Sequence, residues 1–218
     1  MSNFKPNLPQ DNAKIVVMST NNKELVNRVE ELGVKVLPSE NLSKLLTFEQ
    51  YHTDLQILQY NKDTVFVLKE CTSLKENLKK YFPNVIEISK NIDKDYPNNV
   101  TLNCVVLNDK LICNSKTIAD EVLQMAIKEN LKIINVNQGY TKCSTCIVNE
   151  NAIITSDKSI YKSCRNEMDV LLIRQGYIEL PGTDYGFIGG SSFKYNRKTL
   201  LFPGNIKKSC KTDFACES

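Results

Sequence analysis

Residues 135–157 read NVNQGYTKCSTCIVNENAIITSD and hold the densest chemistry in the chain. A Gln138-Gly139-Tyr140 turn leads to Lys142, then to Cys143 and Cys146 in C-x-x-C spacing. Two apolar runs follow, 143–148 and 152–155, on either side of a polar Asn149-Glu150-Asn151 turn. Strand-like runs about a short polar turn are a hairpin signal, so these two are expected to pair. Just upstream, 118–130 carries Val122, Leu123, Ala126 and Ile127 at helical spacing, and 133–136 is a short apolar run. They read as a helix and a strand.

The same order recurs outward in both directions. Upstream lie a hairpin (55–60 and 64–68, about Asn61-Lys62-Asp63), a helix over 72–81 and a strand over 85–89. A second hairpin follows, 100–107 and 110–113, about Asn108-Asp109. Downstream, 160–175 is expected to be helical at least in part. Residues 177–180 read as a strand broken by Pro181-Gly182, and 186–193 with 199–202 as a last hairpin turning at Tyr195-Asn196. The turns at Asn61, Asn108, Asn149 and Asn196 stand 47, 41 and 47 residues apart. A hairpin–helix–strand unit at that period is an internal repeat. Such units stack about an axis or along a line, because one unit cannot bury its own apolar face. The plain alternative is an α+β domain whose regularity is accidental.

The ends depart from the repeat. Residues 1–12 read as an arm. Residues 14–18 read as a strand, 22–32 as a helix ended by Gly33, and 34–37 as a strand stopped by Pro38. Residues 41–50 form a loop or short helix that delivers Tyr51-His52-Thr53-Asp54. After Phe202 the chain offers PGNIKKSCKTDFACES, with no apolar periodicity. The last unit is therefore expected to be incomplete, and 207–218 to be a flexible tail on a single domain over 13–206.

Composition excludes several classes. With 41% hydrophobic and 24% charged residues the chain is ordinary globular material. Its net charge of +3 is spread along the length, with no basic run interleaved with aromatics, so no nucleic-acid partner is expected. No apolar run reaches the ~18 residues of a membrane span, and the start MSNFKPNLPQDN has no signal-peptide core. A cytoplasmic location follows as the expectation. The eight cysteines are then expected as free thiols.

Unit order and period resemble the pentein fold of guanidino-group-modifying enzymes, a pseudo-fivefold propeller of ββαβ units. The segments YHTDLQI, QGYTKCSTCIVNENAIITSDKSIYK, VLLIRQGYIELPG and DYGFIGGSS, within a match from about Lys14 to Lys208, resemble a bacterial family of unknown function in that superfamily. Members of that family look as though they continue past FPGNIKK with a further helix, strand and Asp-Ile-Gly-Gly-like turn, where this chain turns into SCKTDFACES.

Catalytic penteins use a Cys nucleophile, a His and carboxylates that grip a guanidinium. The resemblance implies such chemistry on C–N bonds of a small guanidino or amide compound held in a central channel. No cofactor or metal is implied. His52-Thr53-Asp54 has the form of the pentein His-x-Asp motif, and His52 is the only His in the chain. In a strand, i and i+2 share a face, so both side chains would point into the channel. His52 would then act as acid/base and Asp54 as guanidinium anchor; the plain alternative is a strand-entry His held by a carboxylate. The Cys of catalytic penteins usually lies in the last unit after a Gly-rich turn, but GFIGGSSF carries Ser191 and Ser192 there. Cys143 or Cys146 remains as substitute nucleophile, with Lys142 available to lower the pKa of Cys143.

Other readings of C-x-x-C are weaker. A metal site needs a second ligand pair, and the candidates are the tail residues Cys210 and Cys216 with His52. A redox pair normally opens a helix, whereas this one precedes a strand. In a strand, residues three apart face opposite sides, so Cys143 and Cys146 would not both line one channel. Gln138 and Tyr140 could donate to a polar ligand or simply shape a turn at Gly139. Gly189, Gly190 and Ser191 could offer backbone N–H groups and a hydroxyl to a ligand, but no helix follows to make a phosphate loop. The alternative function is a non-catalytic pentein acting as a ligand-binding or assembly module. Oligomerisation through the incomplete unit is the expected route to any larger assembly.

Overall fold

The computed structural model describes residues 6–107 and 109–204. The chain opens with β1 (Ile15–Met18), α1 (Lys23–Glu31) and β2 (Lys35–Pro38), and β1 and β2 pair in parallel. Asn22 starts α1 by accepting the Leu25 N–H at 3.0 Å, and Gly33 ends it at φ +76°.

Three sheets of identical topology follow. The first holds β3 (Ile57–Gln59), β4 (Thr64–Val67) and, after α3 (Thr72–Leu78), β5 (Asn84–Glu87). The second holds β6 (Val105–Leu107), β7 (Lys110–Cys113) and, after α4 (Asp120–Lys128), β8 (Lys132–Asn135). The third holds β9 (Thr145–Asn149), β10 (Ala152–Thr155) and, after α5 (Lys158–Cys164), β11 (Asp169–Leu172). In each, the first two strands form an antiparallel hairpin and the helix returns the third strand parallel to the second. The chain ends in the two-stranded hairpin β12 (Phe193–Asn196) and β13 (Thr199–Leu201). A short α2 (Thr53–Gln56) precedes β3.

The middle strands carry the core. β4 and β7 are buried at every position, as expected for strands flanked on both edges and covered on both faces. One apolar cluster gathers Leu55, Phe66, Leu74, Leu102 and Leu111; a second gathers Val105, Ile112, Ile153 and Ile160. Leu8 packs into the second, so the described part of the N-terminal arm lies draped on the body.

Several boundaries differ from the sequence reading. Residues 160–175, expected to be helical at least in part, are helical only to Cys164; a turn at 165–168 then leads into β11, and 173–175 are irregular. Val170, Leu171 and Leu172 fill the parallel place beside Ile153–Thr155, so 177–180 has no strand slot left and forms a loop. The strand expected over 100–107 shortens to 105–107, because 99–104 is a buried irregular segment. The last hairpin turns at Arg197-Lys198 rather than Tyr195-Asn196, with Asn196 accepting the Lys198 N–H. The Asn108 turn residue and the tail 207–218 lie outside the described residues. No described helix is long and apolar enough to cross a membrane.

Candidate functional site

Four irregular segments converge on one place: 49–54 ahead of α2, the buried coil 99–103, the turn 138–144 ahead of β9, and the turn 187–192 ahead of β12. His52 and Asp54 do not lie in a strand. The Glu49 carbonyl accepts from the His52 N–H and the His52 carbonyl from the Leu55 N–H, which winds the chain into α2. His52 becomes the N-cap residue and Asp54 a first-turn residue of that helix. Both still line one cavity of about 1670 Å³ together with Lys142, Cys143, Gly189 and Ser191.

Cys143 sits in the turn before β9 and is 2% exposed. Asn103, fully buried, organises its surroundings. The Asn103 Oδ1 accepts the backbone N–H groups of Lys142 (2.8 Å) and Cys143 (3.1 Å). Its Nδ2 donates to the Cys143 Sγ and to the Asp54 carbonyl, both at 3.0 Å. Lys142 Nζ stands 3.4 Å from an Asp54 carboxylate oxygen. Burial holds the Cys143 thiol well above the ordinary thiol range, and the Asp54 carboxylate pushes it further; Asn103 and Lys142 oppose this. The polar neighbours at the sulfur are thus Asn103 and Asp54 rather than His52. Burial holds the His52 imidazole below its ordinary value, against the Asp54 and Glu49 charges. Near neutral pH the site therefore holds a protonated thiol and a neutral imidazole.

A second network lies beside it. Glu49, 4% exposed, accepts the Tyr140 hydroxyl at 2.6 Å and the Asn99 Nδ2 at 3.2 Å. The Tyr140 ring stacks between Tyr96 (6.4 Å) and Phe187 (5.6 Å). A Cβ at Gly139 would stand 2.5 Å from the Tyr96 ring, so a side chain is excluded there. Burial and the Glu49 hydrogen bond hold the Tyr140 hydroxyl well above the ordinary range.

The other residues singled out from sequence are differently engaged. Gln138 donates to Asp157 at 2.8 Å and accepts the Tyr140 N–H at 3.0 Å, which places it on a separate cleft beside α5. Cys146 does not line the main cavity; its sulfur is hydrogen-bonded with the Ser192 hydroxyl, and burial raises its pKa. A Cβ on Gly189 would lie 2.1 Å from the Lys142 carbonyl oxygen and 2.5 Å from that of Thr145. Its backbone is therefore interlocked with the Cys143 turn. The Gly190 N–H bonds the Cys143 carbonyl at 3.0 Å, and the Ser191 hydroxyl bonds the Ile188 carbonyl at 3.2 Å. Gly189, Gly190 and Ser191 nonetheless line the main cavity. The six cysteines among the described residues are free thiols. No three His, Cys, Asp or Glu side chains among those residues gather as a metal ion requires.

Sequence reasoning missed Asn103, Asn99 and Glu49. The signal was faint: two Asn residues, 99 and 103, flanking the otherwise apolar VTL before CVVL.

The fold is an α/β arrangement of small sheets similar to that of the penteins. DDAH from Pseudomonas aeruginosa, solved as a cysteine-to-serine mutant complexed with citrulline, superposes with a TM-score of 0.58 at 10% identity. The match covers 91% of this chain and 86% of that one. Agmatine deiminase from C. jejuni gives a TM-score of 0.42 at 12% identity, covering 74% and 60%. No curated protein matches the sequence. Residues 16–214 match the family described as "Family of unknown function (DUF6873)", and the chain belongs to that family.

Proposed function

We propose that this protein is a pentein of pseudo-fivefold propeller plan, whose β12–β13 unit lacks a helix and third strand among the described residues. It binds a small guanidino or amide compound in its central cavity and cleaves or transfers at a C–N bond through Cys143. One observation carries the reading: Cys143, Asp54, Lys142 and His52 line one cavity, and Asn103 ties the Cys143 sulfur to the Asp54 backbone.

The roles follow from charge. A guanidinium that joins Lys142 at Asp54 adds a second cation beside the carboxylate which, together with burial, holds the thiol protonated. A unit cation ~4 Å from the sulfur is worth about 4 kcal/mol at an effective dielectric near 20. That is close to three powers of ten in thiolate fraction. The thiol proton passes through the cavity that both residues line, by way of water or the bound compound, to neutral His52. The thiolate adds to the guanidino carbon, the C–N bond breaks, and the departing amine takes the proton from His52. Water then cleaves the S–C bond in a hydrolase, or an acceptor amine does so in a transferase.

Absorbance at 240 nm during titration with methylguanidine and agmatine tests this. The Cys143 thiolate is expected to form at lower pH with the compound present than without it, with no such signal in Cys143→Ala, and amine is expected to be released from at least one compound. No such shift and no amine would remove the catalytic reading. The rival, a non-catalytic ligand-binding or assembly module, is favoured by one feature: Cys143 at rest is buried and protonated.

A further inference from the structure

We infer that Asn103 is a positioning residue for Cys143: its carboxamide holds the sulfur-bearing turn closed and supplies the hydrogen bond that receives the sulfur's negative charge. The inference rests on Cys143 being the nucleophile.

The orientation of the Asn103 amide is fixed by its neighbours. Two backbone N–H groups, of Lys142 and Cys143, point at one end, so that end must be the oxygen. The amino end then faces the Cys143 Sγ and the Asp54 carbonyl and can only donate to them. A sulfur that already accepts from Asn103 must aim its own hydrogen elsewhere, and the partner at hand is the Asp54 carboxylate. In the resting state the thiol therefore accepts from Asn103 and donates to Asp54. When a cation occupies Asp54 the acceptor is lost, while the Asn103 N–H stays in place. Deprotonation then leaves an N–H···S⁻ bond, charge-assisted and stronger than the neutral one.

Asn103 ties the 142–143 turn and the Asp54 backbone together from one fully buried position, so it needs no rearrangement at the moment of ionisation. The charged and titratable groups facing the sulfur are Asp54 from α2, Lys142 from its own turn and Tyr140 from the same segment. None of them replaces the Asn103 donor: Asp54 opposes the thiolate, Tyr140 is bonded to Glu49, and Lys142 is paired with Asp54.

The test is the rate of Cys143 alkylation by iodoacetamide, without any guanidine, between pH 7 and 9.5, with sites mapped by peptide mass. Asn103→Asp keeps the acceptor for both backbone N–H groups but removes the donor. Asn103→Ala removes donor and acceptor without adding charge. Both are expected to alkylate at least about tenfold more slowly than wild type at every pH, with Cys146 unchanged, since a tenfold loss in thiolate corresponds to one pKa unit. A purely structural clip predicts the opposite: loosening the turn exposes the thiol and speeds its reaction. Unchanged or faster alkylation in either folded variant overturns the inference. Should neither variant fold, amide exchange in Cys143→Ala decides. One Asn103 side-chain amide proton should lose protection relative to wild type and the other should keep it; loss of neither overturns the inference. A null guanidine titration alongside slowed alkylation would remove the proposed substrate class and leave the role of Asn103 standing.

Discussion

His52 shows how burial decides what a side chain can do. The imidazole is pushed below its ordinary value of 6.5 by desolvation, while Asp54 and Glu49 pull it back. A His with a depressed folded pKa binds its proton more readily in the unfolded chain. Its contribution is therefore fully present above the unfolded value and lost as pH falls through the folded one. Urea denaturation between pH 7.5 and 4.5 is expected to show part of the acid-side loss vanish in His52→Asn; identical slopes would contradict the burial. That His52, Asp54, Lys142 and Cys143 line one cavity was readable only in part from residue type: His52 is the one His of the chain, whereas Lys, Asp and Cys recur along it. The site was not legible at Asn103 or Glu49. Their importance comes from partners 39 to 91 positions away, such as Lys142 for Asn103 and Tyr140 for Glu49. Spacing along a chain carries no trace of such contacts.

Among the secondary structures, hairpins read well and their edges poorly. The apolar runs about Asn61 and Asn149 paired as their short polar turns implied. Within 160–175 the extent of the helix was not legible, because apolar residues such as Val170–Leu172 suit a helix face or a buried strand equally, and only the place beside β10 chooses between them. The 187–192 turn looked like a ligand loop because it is rich in Gly, yet Gly189 is needed for contact with the carbonyls of the Cys143 turn. Gly189→Ala must push apart two backbones rather than a flexible side chain. Overpacking of this kind costs about 1–3 kcal/mol. Chemical denaturation should show at least the lower figure together with faster Cys143 alkylation. A neutral substitution would mean the interlock is not maintained in solution.

Among the described residues, the first and last sheets have two strands where the other three have three. They meet where the Ala13 N–H donates to the Tyr195 carbonyl at 2.6 Å and the Tyr195 hydroxyl to the Leu32 carbonyl at 2.9 Å. Asn196 donates to Asn12 at 3.0 Å across the same seam. Tyr195→Phe is expected to lower stability by about 0.5–1.5 kcal/mol, the net worth of one hydrogen bond. Exchange of the Ala13 amide should quicken in parallel; unchanged exchange would mean the seam does not depend on that hydroxyl. The repeat period pointed to stacked units of this kind, but nothing in the period shows which strands meet at the ends.

The seam also bears on how freely the order of the chain could be rewritten. Residues 12 and 13 lie against residues 195 and 196, so the path through the fold nearly returns to its beginning. A linker bridging the described limits, residues 6 and 204, with the chain opened instead at the exposed Lys62-Asp63 turn, is expected to leave the sheets of the described residues with their present partners. In that sense the architecture has no privileged first residue, and a circular permutant is a natural form of the same molecule.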